Sequence, residues 1–295
     1  MFHAALQVRP ADVTERWGVD VRLALCQLQV SGDKPANLAK VSAGVEQAAR
    51  EGARLVVFPE ATMHYFGAPI DPLAPIAERL DGPFVTTLQR LGRAHHAWIL
   101  AGMFEYVDGD TRVYNTLVLV NDEGELVDTY RKIHLYDAFG YQESSRVAAG
   151  DGRTLLFEVD GVRFGALTCY DLRFPELCRF LASSGAQVLL LPTAWLHGAL
   201  KELHLETLIR ARAIENTVYV AAADQCGPGY TGNSALIDPQ GTIVAGLAEV
   251  EGTVVATVST DRIDAVRVTN PSLSNMRPDL YARWLEATAS PSGTR

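Results

Sequence analysis

Residues 162–191 read VRFGALTCYDLRFPELCRFLASSGAQVLLL, and the fold class turns on how that run changes its hydrophobic period. Val162 to Thr168 is a strongly apolar strand. Pro175 opens a helix that runs to about Ser184, and Gln187 to Leu191 is a second strand, continuously apolar until Pro192 stops it. A strand with no polar face is covered on both sides, which in α/β proteins is the work of helices and of a second sheet.

The same alternation extends in both directions. Upstream, Val21 to Val30 reads as a strand, Pro35 to Glu51 as a helix with Leu38, Val41, Val45 and Ala48 on one face, and Arg54 to Phe58 as a buried strand. Asp81-Gly-Pro opens a helix that ends near His95; Trp98 to Phe104 and Val113 to Val120 follow as strands, and Asn121 to Gly124 turns the chain into Leu126 to Lys132. Thr154 to Val159 joins Val162 to Thr168 through Asp160-Gly161. Downstream lie a long helix, Lys201 to Asn216, the strands Val218 to Ala223, Ser234 to Asp238, Thr242 to Ala245 and Thr253 to Val258, and a short polar helix near Ile263. Hairpin joints among the crossovers predict mixed sheets, and the expected architecture is two sheets between helical layers. Residues 1–20 read as a polar N-terminal extension, 21–288 as one unbroken domain and 289–295 as a tail.

Composition sets limits on function. Of 295 residues, 26 are Lys or Arg and 35 Asp or Glu, a net charge of −9 that disfavours nucleic acid and acidic membrane surfaces as partners. No apolar run approaches the ~18 residues that cross a bilayer, and the first twenty residues lack the apolar centre of a signal peptide, so a cytoplasmic location is expected. The four cysteines fit neither a disulfide framework nor a CxxC metal pattern and are expected to be reduced.

Cys169 ends one strand just before a helix. There, backbone donors at a helix start favour a thiolate and a developing oxyanion, so Cys169 reads either as an attacking sulfur beside the Tyr170 N–H or as a buried structural thiol. No histidine is an obvious partner for it. Two other strand ends carry ionisable groups, Glu60 at the end of LVVFPE and Lys132 at the end of LVDTYRK, and ligands in layered α/β folds collect beyond strand ends.

The blocks FPE around Glu60, YRKIHLYD around Lys132 and LTCYDLRFPE around Cys169 resemble, in order and approximate spacing, the three signature blocks of the nitrilase superfamily of carbon–nitrogen hydrolases. The similarity runs from about Val21 to Tyr281 and takes in YNT at 114–116, ES at 143–144, RARAIEN at 210–216 and RPDLY at 277–281. It implies an αββα sandwich of two mixed, six-stranded-type sheets flanked by helices, a homodimer or higher homo-oligomer, and a Glu–Lys–Cys site with neither metal nor organic cofactor. Glu60 is then the general base, Cys169 the nucleophile that forms a thioester, and Lys132 with the Tyr170 N–H the holder of the oxyanion. Glu143 resembles the family's second glutamate, which hydrogen-bonds the lysine; on residue type alone it reads as a solvated loop acid.

CYDLRF resembles the branch acting on ω-amides of dicarboxylic acids and on deaminated glutathione. The expected activity is therefore hydrolysis of a small carboxylated amide with release of ammonia, the alternatives being an N-carbamoyl amidase releasing carbon dioxide and ammonia, a nitrilase, or a non-catalytic binding protein of the same fold. Arg173 is the candidate for a substrate carboxylate, against a structural ion pair with Asp171 or Glu176; Trp195 is a candidate pocket wall, against simple packing. Two departures bear on the substrate: DAFGYQE at 137–143 is shorter than in animal ω-amidase-like members, and HLE at 204–206 stands where many relatives have His-Trp-Glu. GPGYTG at 227–232 matches GxGxxG but precedes a strand and contains Pro228, so it reads as a turn-rich loop.

Overall fold

Leu23 and Leu25 of the first strand face one way, Ala24 and Cys26 the other, and all four are buried. The same holds for Val188 and Leu190 against Leu189 and Leu191. Strands with two apolar faces need a cover on each side, and the computed structural model, which describes residues 18–68 and 71–289, meets that need with four layers.

In chain order the elements are β1 (Asp20–Gln27), α1 (Lys34–Arg50), β2 (Leu55–Val57), α2 (Pro83–His95), β3 (Trp98–Tyr106), β4 (Val113–Val120) and β5 (Leu126–Arg131). Three two-residue strands follow, β6 (Asp137–Ala138), β7 (Tyr141–Gln142) and β8 (Val147–Ala148), then β9 (Leu155–Val159), β10 (Val162–Ala166), α3 (Pro175–Ser183), β11 (Val188–Thr193) and α4 (Lys201–Asn216). The chain continues with β12 (Tyr219–Asp224), β13 (Ala235–Ile237), β14 (Ile243–Gly246), β15 (Gly252–Ser259), α5 (Thr260–Thr269) and α6 (Pro278–Ala289).

One sheet runs β15-β1-β2-β3-β4-β5 and the other β9-β10-β11-β12-β13-β14. Across each path the pairings are antiparallel, parallel, parallel, antiparallel, antiparallel. In each, helices bridge the two parallel crossovers, α1 and α2 in the first half, α3 and α4 in the second. The central strands β2 and β11 therefore occupy equivalent places, and the residues just past their ends, Glu60 and Ala194, meet in the site described below.

Three apolar clusters fill the spaces between layers. Val41, Val45, Phe84 and Leu88 join α1 and α2 to the first sheet; Leu23, Leu55, Leu117, Phe164 and Val188 lie between the sheets; Leu181, Leu189, Ile209 and Val220 join the second sheet to α3 and α4. Each fully buried Leu or Phe contributes about 1.5–3 kcal/mol, so the sheet-to-sheet layer fixes the relative placement of strand ends contributed by both halves.

The mixed-sheet αββα architecture expected from sequence is the one observed. Two details differ. The first sheet gains a seventh strand, β8, which pairs with β4 off the main path; a two-residue strand carries no periodic signal. Residues 278–289, noted in sequence only for their RPDLY motif, form α6. The extension at 1–20 falls largely, and the tail at 289–295 almost wholly, outside the described residues. No helix among the described residues is long and apolar enough to cross a membrane.

Candidate active site

Glu60 lies three residues past the end of β2, directly after Pro59, and its side chain is almost wholly buried. A buried carboxylate needs donors, and Glu60 has three: Oε1 accepts from Lys132 Nζ at 2.9 Å and from Asn115 Nδ2 at 2.7 Å, and Oε2 accepts from the Ala194 N–H at 2.9 Å. Gly102 on β3 makes room for the turn, because a Cβ there would lie 2.4 Å from Ala61 N and 2.9 Å from Glu60 Cα.

Lys132 lies just past β5 and its backbone N–H donates to the Asn115 carbonyl at 2.9 Å. Its ammonium also donates to Glu143 Oε2 at 2.9 Å and Oε1 at 3.2 Å. Burial pulls the lysine down, but Glu143 and Glu60 outweigh it and hold the ammonium well above the ordinary lysine range. Glu143 is buried, contrary to its solvated-loop reading, and is fixed further by the Tyr136 N–H, which donates to Oε2 at 2.6 Å.

Cys169 begins a 3-10 turn, Cys169–Arg173, with φ at +44°, a conformation that costs a non-glycine residue about 1–3 kcal/mol. The buried Asp171 holds it there. Its Oδ2 accepts from Thr168 N at 2.9 Å and from the Tyr130 hydroxyl at 2.6 Å; its Oδ1 accepts from His134 N at 3.0 Å and lies 2.8 Å from His134 Nδ1. His134 in turn stacks on Phe174, with ring centroids 3.7 Å apart. One carboxylate thus ties the turn that carries Cys169 to the strand end that carries Lys132.

Burial pushes the Cys169 thiol well above its ordinary range and the Glu60 carboxylate adds to the shift, while Lys132, the Thr193 hydroxyl and the Ala194 N–H oppose it. The helix-start donors read from sequence do not offset this desolvation, and the lysine's charge is already committed to two carboxylates.

Glu60, Lys132, Glu143 and Cys169 share a cavity of about 220 Å³. Tyr170, Arg173 and Trp195 line the same cavity, so the structure brings all seven sequence candidates together. Arg173 pairs with neither Asp171 nor Glu176 among the described residues. Its guanidinium lies over the rings of Trp195, Phe139 and Tyr170 at 5.0, 5.4 and 5.9 Å, and its buried Nε has no hydrogen-bond partner. Trp195 is 3% exposed and its indole N–H donates to the Lys201 carbonyl at 2.9 Å.

Sequence reasoning passed over several groups here. Asn115 sat in the quoted YNT motif without a role, yet its Nδ2 donates to both glutamates, at 2.7 Å to Glu60 and 3.2 Å to Glu143. Tyr136 precedes, and Tyr141 lies within, the short segment 137–142, a β6–β7 hairpin whose central Phe139 and Gly140 both take positive φ. Tyr230 enters the cavity from the glycine-rich segment 227–232, which is the turn-rich loop expected and joins β12 to β13. Lys201, read only as the start of a helix, also faces the cavity. Behind the wall, the buried Asp224 accepts from the Trp195 N–H at 2.8 Å. Among the described residues no three His, Cys, Asp or Glu side chains converge as a metal-binding group.

The arrangement resembles known proteins along most of its length. The sequence profile described as carbon-nitrogen hydrolase matches residues 22–268. The deaminated glutathione amidase of Escherichia coli O157:H7 is 41% identical over 232 residues, 78% of this chain and 87% of that protein. The crystal structure of Saccharomyces cerevisiae Nit3, a member of branch 10 of the nitrilase superfamily, superposes with a TM-score of 0.77 at 29% identity, covering 85% of this chain and 94% of that one. A mutant of the amidase from Nesterenkonia sp. AN1, in which acrylamide has undergone Michael addition at the active-site cysteine, superposes with a TM-score of 0.77 at 26% identity, covering 90% of this chain and 99% of that one. With a family profile spanning most of the chain and an amidase relative above 40% identity, this protein belongs to the carbon–nitrogen hydrolases of the nitrilase superfamily and is an amide-hydrolysing enzyme.

Proposed function

We propose that this enzyme hydrolyses a small carboxylated amide through a thioester on Cys169. The observation that carries the reading is the buried cluster in which Lys132 lies 2.9 Å from each of two glutamates, in one cavity with the sulfur. As the sulfur attacks the amide carbonyl, Glu60 takes its proton, a C–S bond forms and the carbonyl oxygen becomes an oxyanion. Lys132 and the Tyr170 N–H hold that oxygen, a role in which a fixed donor is worth about 2.7–4 kcal/mol. Glu60 passes the proton to the nitrogen, the C–N bond breaks and ammonia or an amine leaves. Glu60 then takes a proton from water, which attacks the thioester; the acid departs and the sulfur recovers its proton.

The raised thiol pKa fits this sequence, because the proton leaves the sulfur during attack and not before it. Glu143 and Asn115 orient the ammonium and the base, and Arg173, whose fork has no carboxylate partner among the described residues, takes a carboxylate of the substrate. The reactive cysteine of the Nesterenkonia amidase and the activity named for the Escherichia coli relative support the same reading. Ammonia release from a panel of ω-amides, nitriles and ureido acids tests it. Turnover of carboxylated amides that vanishes in Cys169→Ala is expected; carbon dioxide from ureido acids with no turnover of ω-amides would overturn it in favour of an N-carbamoyl amidase.

A further inference from the structure

Lys201 is the first residue of α4, only 6% exposed, and lines the same cavity as Lys132. A cation at a helix N-terminus sits at the wrong end of the helix dipole, so Lys201 does nothing for α4. The backbone delivers it there at a cost: Leu200, immediately before it, takes φ +61°, and the Trp195 indole N–H anchors the Lys201 carbonyl. Its ammonium donates to the Tyr136 hydroxyl at 2.8 Å and lies 3.7 Å from the centroid of the Phe139 ring. No carboxylate forms an ion pair with it among the described residues.

Arg173 is in the same position. Both cations lie over the rings of Phe139 and Trp195, which makes them neighbours, and burial together with Arg173 pulls Lys201 below the ordinary lysine range. The charged groups lining the cavity are Lys132, Arg173 and Lys201 against Glu60 and Glu143, and Lys132 is consumed by the two glutamates. Neither Lys201, which is buried, nor Arg173, which is half-buried with one guanidinium nitrogen 3.5 Å from His204 Nδ1, has a carboxylate partner among the described residues, and one carboxylate from a ligand brings the five lining charges to neutrality.

We propose that Lys201 joins Arg173 in a clamp for the free carboxylate of the amide substrate. The inference rests on the amide-hydrolase reading for the reacting end and concerns the opposite end of the substrate. Arg173 offers the planar fork, and Lys201 the remaining donors of an ammonium that has spent one on Tyr136.

Binding, which needs no turnover, separates the two. Titration calorimetry on the Cys169→Ala protein compares the monoamide of glutaric acid with pentanamide, its neutral counterpart. The acidic amide is expected to bind more tightly, and adding Lys201→Met is expected to cut that preference at least about ten-fold, with Lys201→Arg retaining most of it. Lys201→Gln serves as a second variant if the methionine disturbs folding, as judged by circular dichroism. A preference left unchanged in the folded variants, or absent in the parent, would overturn the clamp. Failure of the amide-hydrolase reading would show elsewhere, as wild-type protein that releases neither ammonia nor amine from any amide.

Discussion

Asn115 donates from its side-chain amide to Glu60 Oε1 at 2.7 Å across 55 residues of sequence. Because the same nitrogen also reaches Glu143 at 3.2 Å, one neutral side chain on β4 bridges the two carboxylates that flank Lys132. Asn115→Ala removes a donor from two buried anions, each worth about 1.5–3 kcal/mol. Steady-state kinetics are expected to show kcat reduced by roughly ten- to a hundred-fold with less change in KM. A wild-type kcat would mean that Lys132 and the Ala194 N–H hold Glu60 unaided.

The thiol offers a test with opposite signs. Burial and then the Glu60 carboxylate raise its pKa, so Glu60→Gln, which keeps the shape and removes the charge, is expected to lower it. Thiolate absorbance near 240 nm, corrected with Cys169→Ala, is expected to rise at lower pH in the variant than in the wild type, while hydrolysis collapses. A thiol that titrates at the same or higher pH would contradict the assigned electrostatics.

Gly102 is a test of positioning. A methyl group at this site would overlap the backbone of Ala61 and Glu60, and neither is the free end of a flexible side chain. Gly102→Ala is expected to displace Glu60 and reduce kcat by at least about a hundred-fold, as misplacement by about 1 Å does, in a protein that still unfolds cooperatively in urea. Full activity would show that the β2 end moves freely under the site.

Tyr130 and Asp171 are both buried, and their 2.6 Å hydrogen bond ties β5 to the Cys169 turn. Tyr130→Phe deletes a hydrogen bond to a charged acceptor and is expected to cost about 1.5–3 kcal/mol in urea denaturation. A change under about 0.5 kcal/mol would indicate that the other donors to Asp171 carry the clamp.

The layer order was legible because β1, β2, β10 and β11 announce themselves as short apolar runs between turn residues, and the helices between them keep a 3.6-residue period. Glu60, Lys132 and Cys169 stood out as ionisable or nucleophilic groups at the ends of such runs. That they share one cavity is a property of the sheet-to-sheet packing, which no local pattern encodes. Asn115 and Lys201 were opaque for different reasons: an asparagine inside a strand looks like any polar interruption, and a lysine opening a helix looks like a solvated end. Their meaning comes from partners 55 and 65 residues away, Glu60 and Tyr136. The direction of the thiol's shift was not legible, because desolvation depends on burial that sequence does not display.

The most direct measurement is intact-protein and peptide mass spectrometry after rapid quenching of the enzyme with a carboxylated amide. A mass increase equal to the acyl group, on the peptide containing Cys169 and absent from Cys169→Ala, is the predicted result. Continued release of ammonia or amine by Cys169→Ala, with no acyl group on the wild-type cysteine at any quench time, would contradict the account.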